Sequence, residues 1–366
     1  MAVNLLRNAR VFFTTALDAD NNVNVADVAF NTKTQEIQVL DGFSFTQNTT
    51  TETVELNEAG DTPNRGQRMF NTALDPVEFS MSTYIRPYDA GAAFEAEESY
   101  LWNALMGKTA IGSAGAAWVA AADSATATLT KANSNVHQLQ AFGLIIQFDS
   151  TEFRLNNCAL DSATIDFGLD AIATIQWSGR GTTITQSETK TTMTGVGAKK
   201  INAKYIANKL STVSLKGGIG GTGDTYTVPI TGGSITIANN LTYLTPANLG
   251  VVNKPITYFT GTRAVSGSLT AYLRTGTSGK YTGELMADVL SQAATSPENS
   301  YELVINVGGA SGPRAVLNME AAMLSIPTVT TEQVVSTEIT FTSQGYTGAV
   351  YDIEEANELT VTYYAA

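Results

Sequence analysis

The chain contains two stretches of similar sequence, and this internal repeat constrains the fold more than any other feature. Residues 79–86 read FSMSTYIR and residues 267–274 read GSLTAYLR, 188 positions further on. Three more matches follow in the same order, at offsets of 184, 162 and 164: Leu101-Trp102 with Leu285-Met286, Leu155-Asn156 with Leu317-Asn318, and Ile175/Trp177 with Ile339/Phe341. A domain that occurs twice in one chain points to symmetric assembly before it points to catalysis.

Both stretches alternate between apolar and polar residues, as half-buried β-strands do. In residues 77–86 the apolar face begins with Val77, Phe79 and Met81. The opposite, polar face points to water, a lumen or a neighbouring subunit. Its candidate lumen- or interface-facing residues are Glu78, Ser80, Ser82, Tyr84 and Arg86 in the first copy, and Ser266, Ser268, Thr270, Tyr272 and Arg274 in the second.

Each copy is also predicted to contain one helix, at residues 94–106 and 279–293. Glu95, Glu97 and Glu98 would lie solvated in the first turns of the earlier helix, where acidic residues favour the helix dipole. Three strands are predicted to follow each helix: 138–148, 152–162 and 164–178, then 300–308, 313–326 and 328–343. The fold class is therefore mainly β, with two tandem domains that each have a flanking α-helix.

The first copy has two segments with no counterpart of equal length in the second. A long polar loop spans residues 46–70, and an Ala-, Gly- and Ser-rich insertion spans residues 108–136. A loop of this length is either functional or disordered. A polar stretch near residues 182–202 suits a connector. We therefore predict domains at 1–195 and 196–366.

Composition argues against several functions. The net charge of −13 and a pI near 4.6 do not suit a protein that wraps nucleic acid, which needs a basic stripe. A single cysteine, Cys158, excludes an internal disulfide framework. Neither a secretory signal nor an 18-residue apolar span is visible, so we expect synthesis in a reducing cytoplasm and no membrane insertion.

The motifs with possible chemistry are weak. Gly107-Lys108-Thr109 lacks the upstream glycine of a phosphate loop. Gly218 to Gly223 fits G-x-G-x-x-G, but a strand-like segment follows it where a dinucleotide site needs a helix, so a glycine-rich hairpin or a flexible loop is the better interpretation. The only histidine, His137, has no G-x-S-x-G partner motif, and one His and one Cys do not suit a zinc site, which needs several clustered ligands. We expect no enzyme activity, cofactor or metal.

Residues 39–87 and 256–274 resemble bacteriophage tail tube proteins. The resemblance implies tail-tube-like β-sandwich or barrel domains whose inner strands close into a barrel, as rings stacked into a hollow tube. Most members have one such domain and form hexamers. Two fused domains imply trimeric rings with pseudo-sixfold symmetry. The long loop would reach a neighbouring subunit or ring, and its candidate residues are Glu52, Glu55, Glu58, Asp61, Arg65 and Arg68.

The resemblance also implies partners and a location. The chain would bind copies of itself, tail-tip and tail-terminator proteins, and a tape measure protein in the lumen, with DNA as non-specific cargo. It would belong to the virion tail and assemble in the host bacterial cytoplasm. Two alternatives stay open: a tail-tip hub or baseplate ring protein, and a β-sandwich adhesin, which would need export.

Overall fold

The structure is a computed structural model that describes residues 8–54, 67–114, 116–129, 139–169, 171–276, 279–297, 299–331, 334–348, 350–352 and 355–366. His137 and the loop residues Glu55, Glu58, Asp61 and Arg65 lie outside the described residues. The described chain is mainly β, which confirms the predicted fold class.

Strands dominate both halves of the chain. Those before residue 195 are β1 (Arg10–Thr14), β2 (Thr34–Ile37), β3 (Ser44–Thr46), β4 (Thr49–Val54), β5 (Arg68–Leu74), β6 (Val77–Tyr84), β7 (Pro87–Asp89), β8 (Phe94–Ala96), β9 (Trp118–Ala120), β10 (Ala125–Thr128), β11 (Phe142–Gln147), β12 (Glu152–Gly168), β13 (Thr174–Gly181) and β14 (Thr183–Ser187).

The strands after residue 195 are β15 (Thr212–Gly217), β16 (Thr225–Thr227), β17 (Ile230–Ala238), β18 (Leu241–Leu244), β19 (Thr257–Thr260), β20 (Ala264–Tyr272), β21 (Lys280–Tyr281), β22 (Tyr301–Val307), β23 (Arg314–Leu324), β24 (Thr328–Thr330), β25 (Ser336–Ser343), β26 (Tyr346–Thr347), β27 (Val350–Tyr351) and β28 (Thr360–Tyr364). The predicted strand at 164–178 is wrong, because β12 runs unbroken to Gly168.

Helices are short and few in the described chain: α1 (Phe30–Lys33), α2 (Ser99–Met106) and α3 (Thr282–Thr295), with a 3₁₀ turn at Asn208–Leu210. The predicted start of α2 at residue 94 is wrong, since residues 94–96 form β8. At the start of α3 the Glu284 carboxylate accepts the Tyr281 N–H at 3.0 Å, which satisfies a backbone donor that the helix leaves unpaired.

One antiparallel sheet runs through both halves, and we call it the continuous sheet. Its strand order is β3–β6–β13–β12–β17–β20–β25–β24. The halves meet where β12 pairs with β17, with Ser162 opposite Ala238 and Gly168 opposite Gly232. The sheet therefore crosses from one half to the other by main-chain pairing.

Each half adds an outer layer. The first runs β2–β1–β11–β12–β14, and the second runs β16–β15–β22–β23–β28–β10–β9. The order β1–β11–β12 thus has a counterpart in β15–β22–β23. Strands β9 and β10 come from the 108–136 segment, and β10 pairs with β28 at the C-terminal end. A strand of the first half therefore pairs with the last strand of the second half.

The core lies between the continuous sheet and the outer layers, and buried residues of both halves form one contiguous cluster. Its largest fully buried side chains include Trp102, Trp177, Tyr301 and Tyr363. The rings of Trp102 and Trp177 meet edge to face at 5.1 Å between centroids. Full burial of a large apolar side chain is worth about 1.5–3 kcal/mol, so the contact between Trp102 and Trp177 anchors α2 to the sheet.

A phenylalanine and a glycine face each other in both halves, in opposite order. Phe79 of β6 lies opposite Gly179 of β13, whereas Gly267 of β20 lies opposite Phe341 of β25. A Cβ atom on Gly179 would lie 2.4 Å from the Phe79 ring, and one on Gly267 would lie 2.6 Å from the Phe341 ring. Each ring occupies the space above its glycine. The predicted offset of 164 for β13 and β25 is therefore two residues too long, since Phe341 corresponds to Gly179.

Candidate functional site

The solvent-facing side of the continuous sheet is covered with hydroxyl groups. Because side chains alternate along each strand, Ile, Phe and Trp fill the inner face and Ser and Thr fill the outer one. One row crosses six strands at the same height: Ser82, Gln176, Thr164, Thr236, Ser266 and Thr342. We call this side of the sheet the polar face.

Several of these hydroxyls are close enough to hydrogen-bond across strands. The oxygens of Ser44 and Ser80 are 3.0 Å apart, those of Ser162 and Ser178 are 2.8 Å apart, and those of Thr164 and Thr236 are 3.1 Å apart. The last of these contacts joins the two halves. Cross-strand pairs of this kind contribute about 0.2–1 kcal/mol each and hold the hydroxyls in a fixed array.

Charges are sparse on this face. Among its described residues we find Glu78, Asp161, Asp166 and Glu338, with Arg180 as the basic group. Arg180 is 3.7 Å from the Glu78 carboxylate and also donates a hydrogen bond to the Leu241 carbonyl at 3.1 Å. The remaining charge is acidic, so the face offers hydrogen bonds to water and little that would hold a phosphate.

The structure places most of the predicted strand residues on this face. Glu78 is exposed, and Ser80, Ser82 and Tyr84 are half-buried in alternation with buried neighbours. Ser266, Ser268 and Thr270 are half-buried, and Tyr272 is exposed. Arg274 lies beyond the end of β20, with its guanidinium 4.3 Å from the centre of the Tyr281 ring. Whether these residues face a lumen stays a prediction.

Arg86 departs from the predicted row. β6 ends at Tyr84, and the Arg86 side chain turns inward and is only 4% exposed. Its Nη1 lies 2.5 Å from the Glu97 carboxylate, and its Nη2 donates to the carbonyls of Lys200 and Ala203 at 3.1 and 3.3 Å. Arg86, which was predicted on the polar face, is therefore a buried side chain that links the first half to the connector and the residues just after it.

The three acidic residues ahead of α2 are wrongly predicted as solvated. Glu97 and Glu98 are buried, and Glu95 is half-buried and accepts a hydrogen bond from the Trp118 indole at 3.1 Å. Burial raises the pKa of Glu97, and the nearby Arg86 guanidinium opposes that rise. Burial raises the pKa of Glu98 to about 7.

Glu98 belongs to a buried polar network that holds the C-terminal strand. Its carboxylate accepts the Arg86 N–H at 3.2 Å, and it is hydrogen-bonded to the Tyr363 hydroxyl of β28. The same hydroxyl accepts the Trp102 indole N–H at 2.7 Å. One polar cluster therefore fixes α2, the segment that follows β6 and the last strand to each other.

The predicted loop at 46–70 is partly a hairpin. Its arms are β4 and β5, paired from Thr49 opposite Leu74 to Val54 opposite Arg68. Glu52 and Arg68 lie exposed on these arms. The counterpart in the second half is the hairpin β18–β19, and the two lie side by side, because the Leu74 N–H donates to the Asn253 carbonyl at 2.8 Å.

The continuous sheet ends in two strands without a neighbour on one side. β3 pairs only with β6, and β24 pairs only with β25, among the pairings of the described residues. Unpaired N–H and C=O groups at a sheet edge are a template for another strand.

The sequence prediction missed the middle of the sheet. β17 was not predicted, although Ser234-Ile235-Thr236-Ile237 alternates as a strand should.

Chemical sites are scarce by comparison. Within the described ranges no three His, Cys, Asp or Glu side chains are grouped to hold a metal ion. Gly218 to Gly223 connects the antiparallel strands β15 and β16, which confirms the hairpin interpretation of that glycine motif. No helix in the described part of the chain is long and apolar enough to cross a membrane.

The sheet, the hydroxyl-covered face and the two free edges define a structural β protein. Comparison with known proteins agrees. The family described as phage tail tube protein matches residues 47–343, and the chain belongs to that family. It is similar to the tail tube protein pb6 of Escherichia phage T5, with 33% identity over 353 residues that cover 93% of this chain and 72% of pb6. The resemblance seen in the sequence is confirmed: the chain is a structural subunit of a phage tail tube.

Proposed function

We propose that three copies of this chain join edge to edge, so that their continuous sheets close into one barrel around a lumen, and that such rings stack to form the tube. One observation carries the proposal: β12 and β17 already join two similar four-strand sets within the chain. The first set is β3–β6–β13–β12 and the second is β17–β20–β25–β24. Repetition of the same junction between chains brings β24 of one copy beside β3 of the next.

Closure also accounts for the free edges. A ring leaves no edge strand unpaired, which removes the template for uncontrolled aggregation. We propose three copies per ring because each chain has two fused domains, which we place at 1–195 and 196–366. Three chains then supply the six domains of one complete ring. A heterologous junction of this kind closes only when the rotation per copy divides a full circle.

The polar face would line the lumen. Hydroxyl groups in a fixed array, with a small excess of acidic charge, let a DNA duplex pass without binding to the wall. The chain would itself catalyse no reaction. Its partners would be further copies of itself, tail-tip and terminator proteins at the tube ends, and a tape measure protein inside the lumen before DNA passes. Assembly would occur in the host cytoplasm.

Cysteine cross-linking tests the edge pairing. Ser44 and Thr46 on β3, and Thr328 and Thr330 on β24, all lie on the polar face. Variants with one cysteine on each strand should form disulfide-linked oligomers up to a closed trimer on oxidation, seen by gel electrophoresis and by native mass spectrometry. The control pair Ser82→Cys and Thr340→Cys sits in mid-sheet and should stay unlinked. Rings of another size, or links only in the control, would refute the arrangement.

A charge reversal tests the lumen. The wild-type tube should not retain duplex DNA at physiological salt. Glu78→Lys with Glu338→Lys turns two acidic positions of the polar face basic, and should give tubes that retain DNA with a steep salt dependence. Tubes of the Val28→Lys control, altered at a fully exposed turn, should behave as wild type. If the double variant and the wild type retained equal amounts of DNA, the polar face would not line the lumen.

A further inference from the structure

A groove of about 420 Å³ lies at the C-terminal end of α3, where the end of β23 passes beside it. Its lining includes Ala293, Ser296, Asn299, Leu324 and Ile326. Apolar side chains at this place are exposed: Met323 by 40% and Ile326 by 52%. Exposed apolar groups around a groove mark a surface that another protein segment covers.

The equivalent place in the first half is already filled. There the end of α2 lies beside β12, and Asn239 inserts between them: its Nδ2 donates to the carbonyls of Leu105 at 3.0 Å and Leu160 at 3.2 Å. The Leu241 N–H donates to the Asp161 carboxylate at 2.7 Å. The second half thus supplies the segment that closes this gap in the first.

The hairpin β18–β19 continues the same contact. Leu241, Tyr243 and Tyr258 are buried against Ala159 of β12. The Tyr243 hydroxyl donates to the Arg180 carbonyl at 2.8 Å, and the Tyr258 hydroxyl donates to the Leu139 carbonyl at 2.8 Å. Aromatic side chains with a satisfied hydroxyl are typical anchors of a protein interface.

The hairpin β4–β5 has the same place in the first half as β18–β19 has in the second. Two residues separate β3 from β4, and two separate β17 from β18. Phe70 precedes Phe79 by nine positions, as Tyr258 precedes Gly267. Phe70 lies opposite Glu52, as Tyr258 lies opposite Tyr243. Yet Phe70 is 44% exposed, whereas Tyr258 is 7% exposed.

We propose that the groove beside α3 of one chain receives the base of hairpin β4–β5 from a second copy of this chain, with Phe70 in the role that Tyr258 has within the chain. This contact rests on the proposed ring. It adds a side-chain contact between adjacent copies to the strand pairing, and we call that contact the lock. The internal junction identifies the occupant, because the described chain contains one groove filled by its hairpin, a second groove that no described segment fills, and a second hairpin whose Phe70 is exposed.

Two single substitutions test the lock, each at an exposed position, so that the monomer fold is kept. Phe70→Asp removes the anchor and leaves the groove intact. Ile326→Asp spoils the groove and leaves the hairpin intact. Each alone should raise the protein concentration at which rings form by at least about tenfold, as loss of an interface anchor does. Val28→Asp, at an exposed turn, is the matched control and should assemble as wild type.

A mixture gives the sharper result. The intact hairpin of the Ile326→Asp chain fits the intact groove of the Phe70→Asp chain, so an equimolar mixture should give 1:1 dimers in native mass spectrometry that neither variant forms alone. Wild-type-like rings from either variant would overturn the lock while leaving the ring itself standing. Failure of the mixture to give mixed dimers would also overturn it. Absence of rings from the wild type would overturn the proposed function and the lock together.

Discussion

The reciprocal Phe–Gly pairs allow a quantitative test of the core. In Gly179→Ala, the new methyl group would lie 2.4 Å from Cζ of Phe79 and 2.5 Å from the carbonyl oxygen of Ala159. Distances under 3 Å force the ring or the backbone of β12 to move. Overpacking of this kind costs about 1–3 kcal/mol, which lowers the melting temperature of a chain of this size by about 1–4 °C.

The matched control is Gly168→Ala on the same sheet. There the nearest atom to the new methyl group is the Ala171 Cβ at 3.8 Å, an ordinary contact. We expect a change within about 0.5 kcal/mol, as for surface substitutions in general. Thermal unfolding of the unassembled variants, followed by near-ultraviolet circular dichroism, gives both values under one set of conditions.

A double variant separates the ring contact from the backbone contact. Phe79→Ala alone should cost about 3–5 kcal/mol through the cavity that it leaves. With Gly179→Ala added, the new methyl group enters the space that the ring vacated, so the double variant should be more stable than the sum of the single effects by about 1 kcal/mol. Strict additivity, or a Gly179→Ala variant as stable as Gly168→Ala, would refute the argument.

Three further predictions concern buried groups. Burial raises the pKa of Glu98 from 4.5 to about 7, so the folded state holds this proton more tightly than the unfolded state does. The free energy of unfolding should therefore fall by up to about 3 kcal/mol as pH rises from about 4.5 to 7. Glu98→Gln should flatten that part of the denaturation profile, and an unchanged slope would contradict the assignment. Arg86→Ala leaves Glu97 buried without its partner and should lower the free energy of unfolding in urea by about 3–5 kcal/mol. The control Arg68→Ala, at an exposed position, should lower it by no more than about 0.5 kcal/mol. Equal losses in the two variants would count against a buried ion pair. Burial raises the pKa of the Cys158 thiol, so a thiol reagent should label it only after unfolding, and rapid labelling of native protein would disprove its burial.

The local pattern of the sequence was sufficient for the elements on the polar face. Alternation in residues 77–86 and 265–274 predicted β6 and β20 with the correct inner faces, because a strand with one buried side leaves a period of two in the sequence. The repeat and the family resemblance were also visible before the structure, and the mainly β class followed from them.

Three residues show where local pattern fails. Glu97, Glu98 and Arg86 were predicted at the surface because charged residues are seldom buried without a partner. Arg86 contacts Glu97 and Glu98, which are 11 and 12 positions away, but the other partners of this group, Lys200, Ala203 and Tyr363, are more than 100 positions away in the sequence. No window of sequence contains both sides of these long-range contacts, so the burial is decided by the tertiary fold.

The sequence by itself therefore determined the repeat, the strand faces and the family. Tertiary structure alone decided that β12 pairs with β17, that the 108–136 segment holds the last strand, and that one groove is filled while its counterpart lies open. The physical reason is that periodicity records which side of an element is buried, whereas the choice of partner depends on backbone edges and buried charges brought together from distant parts of the chain.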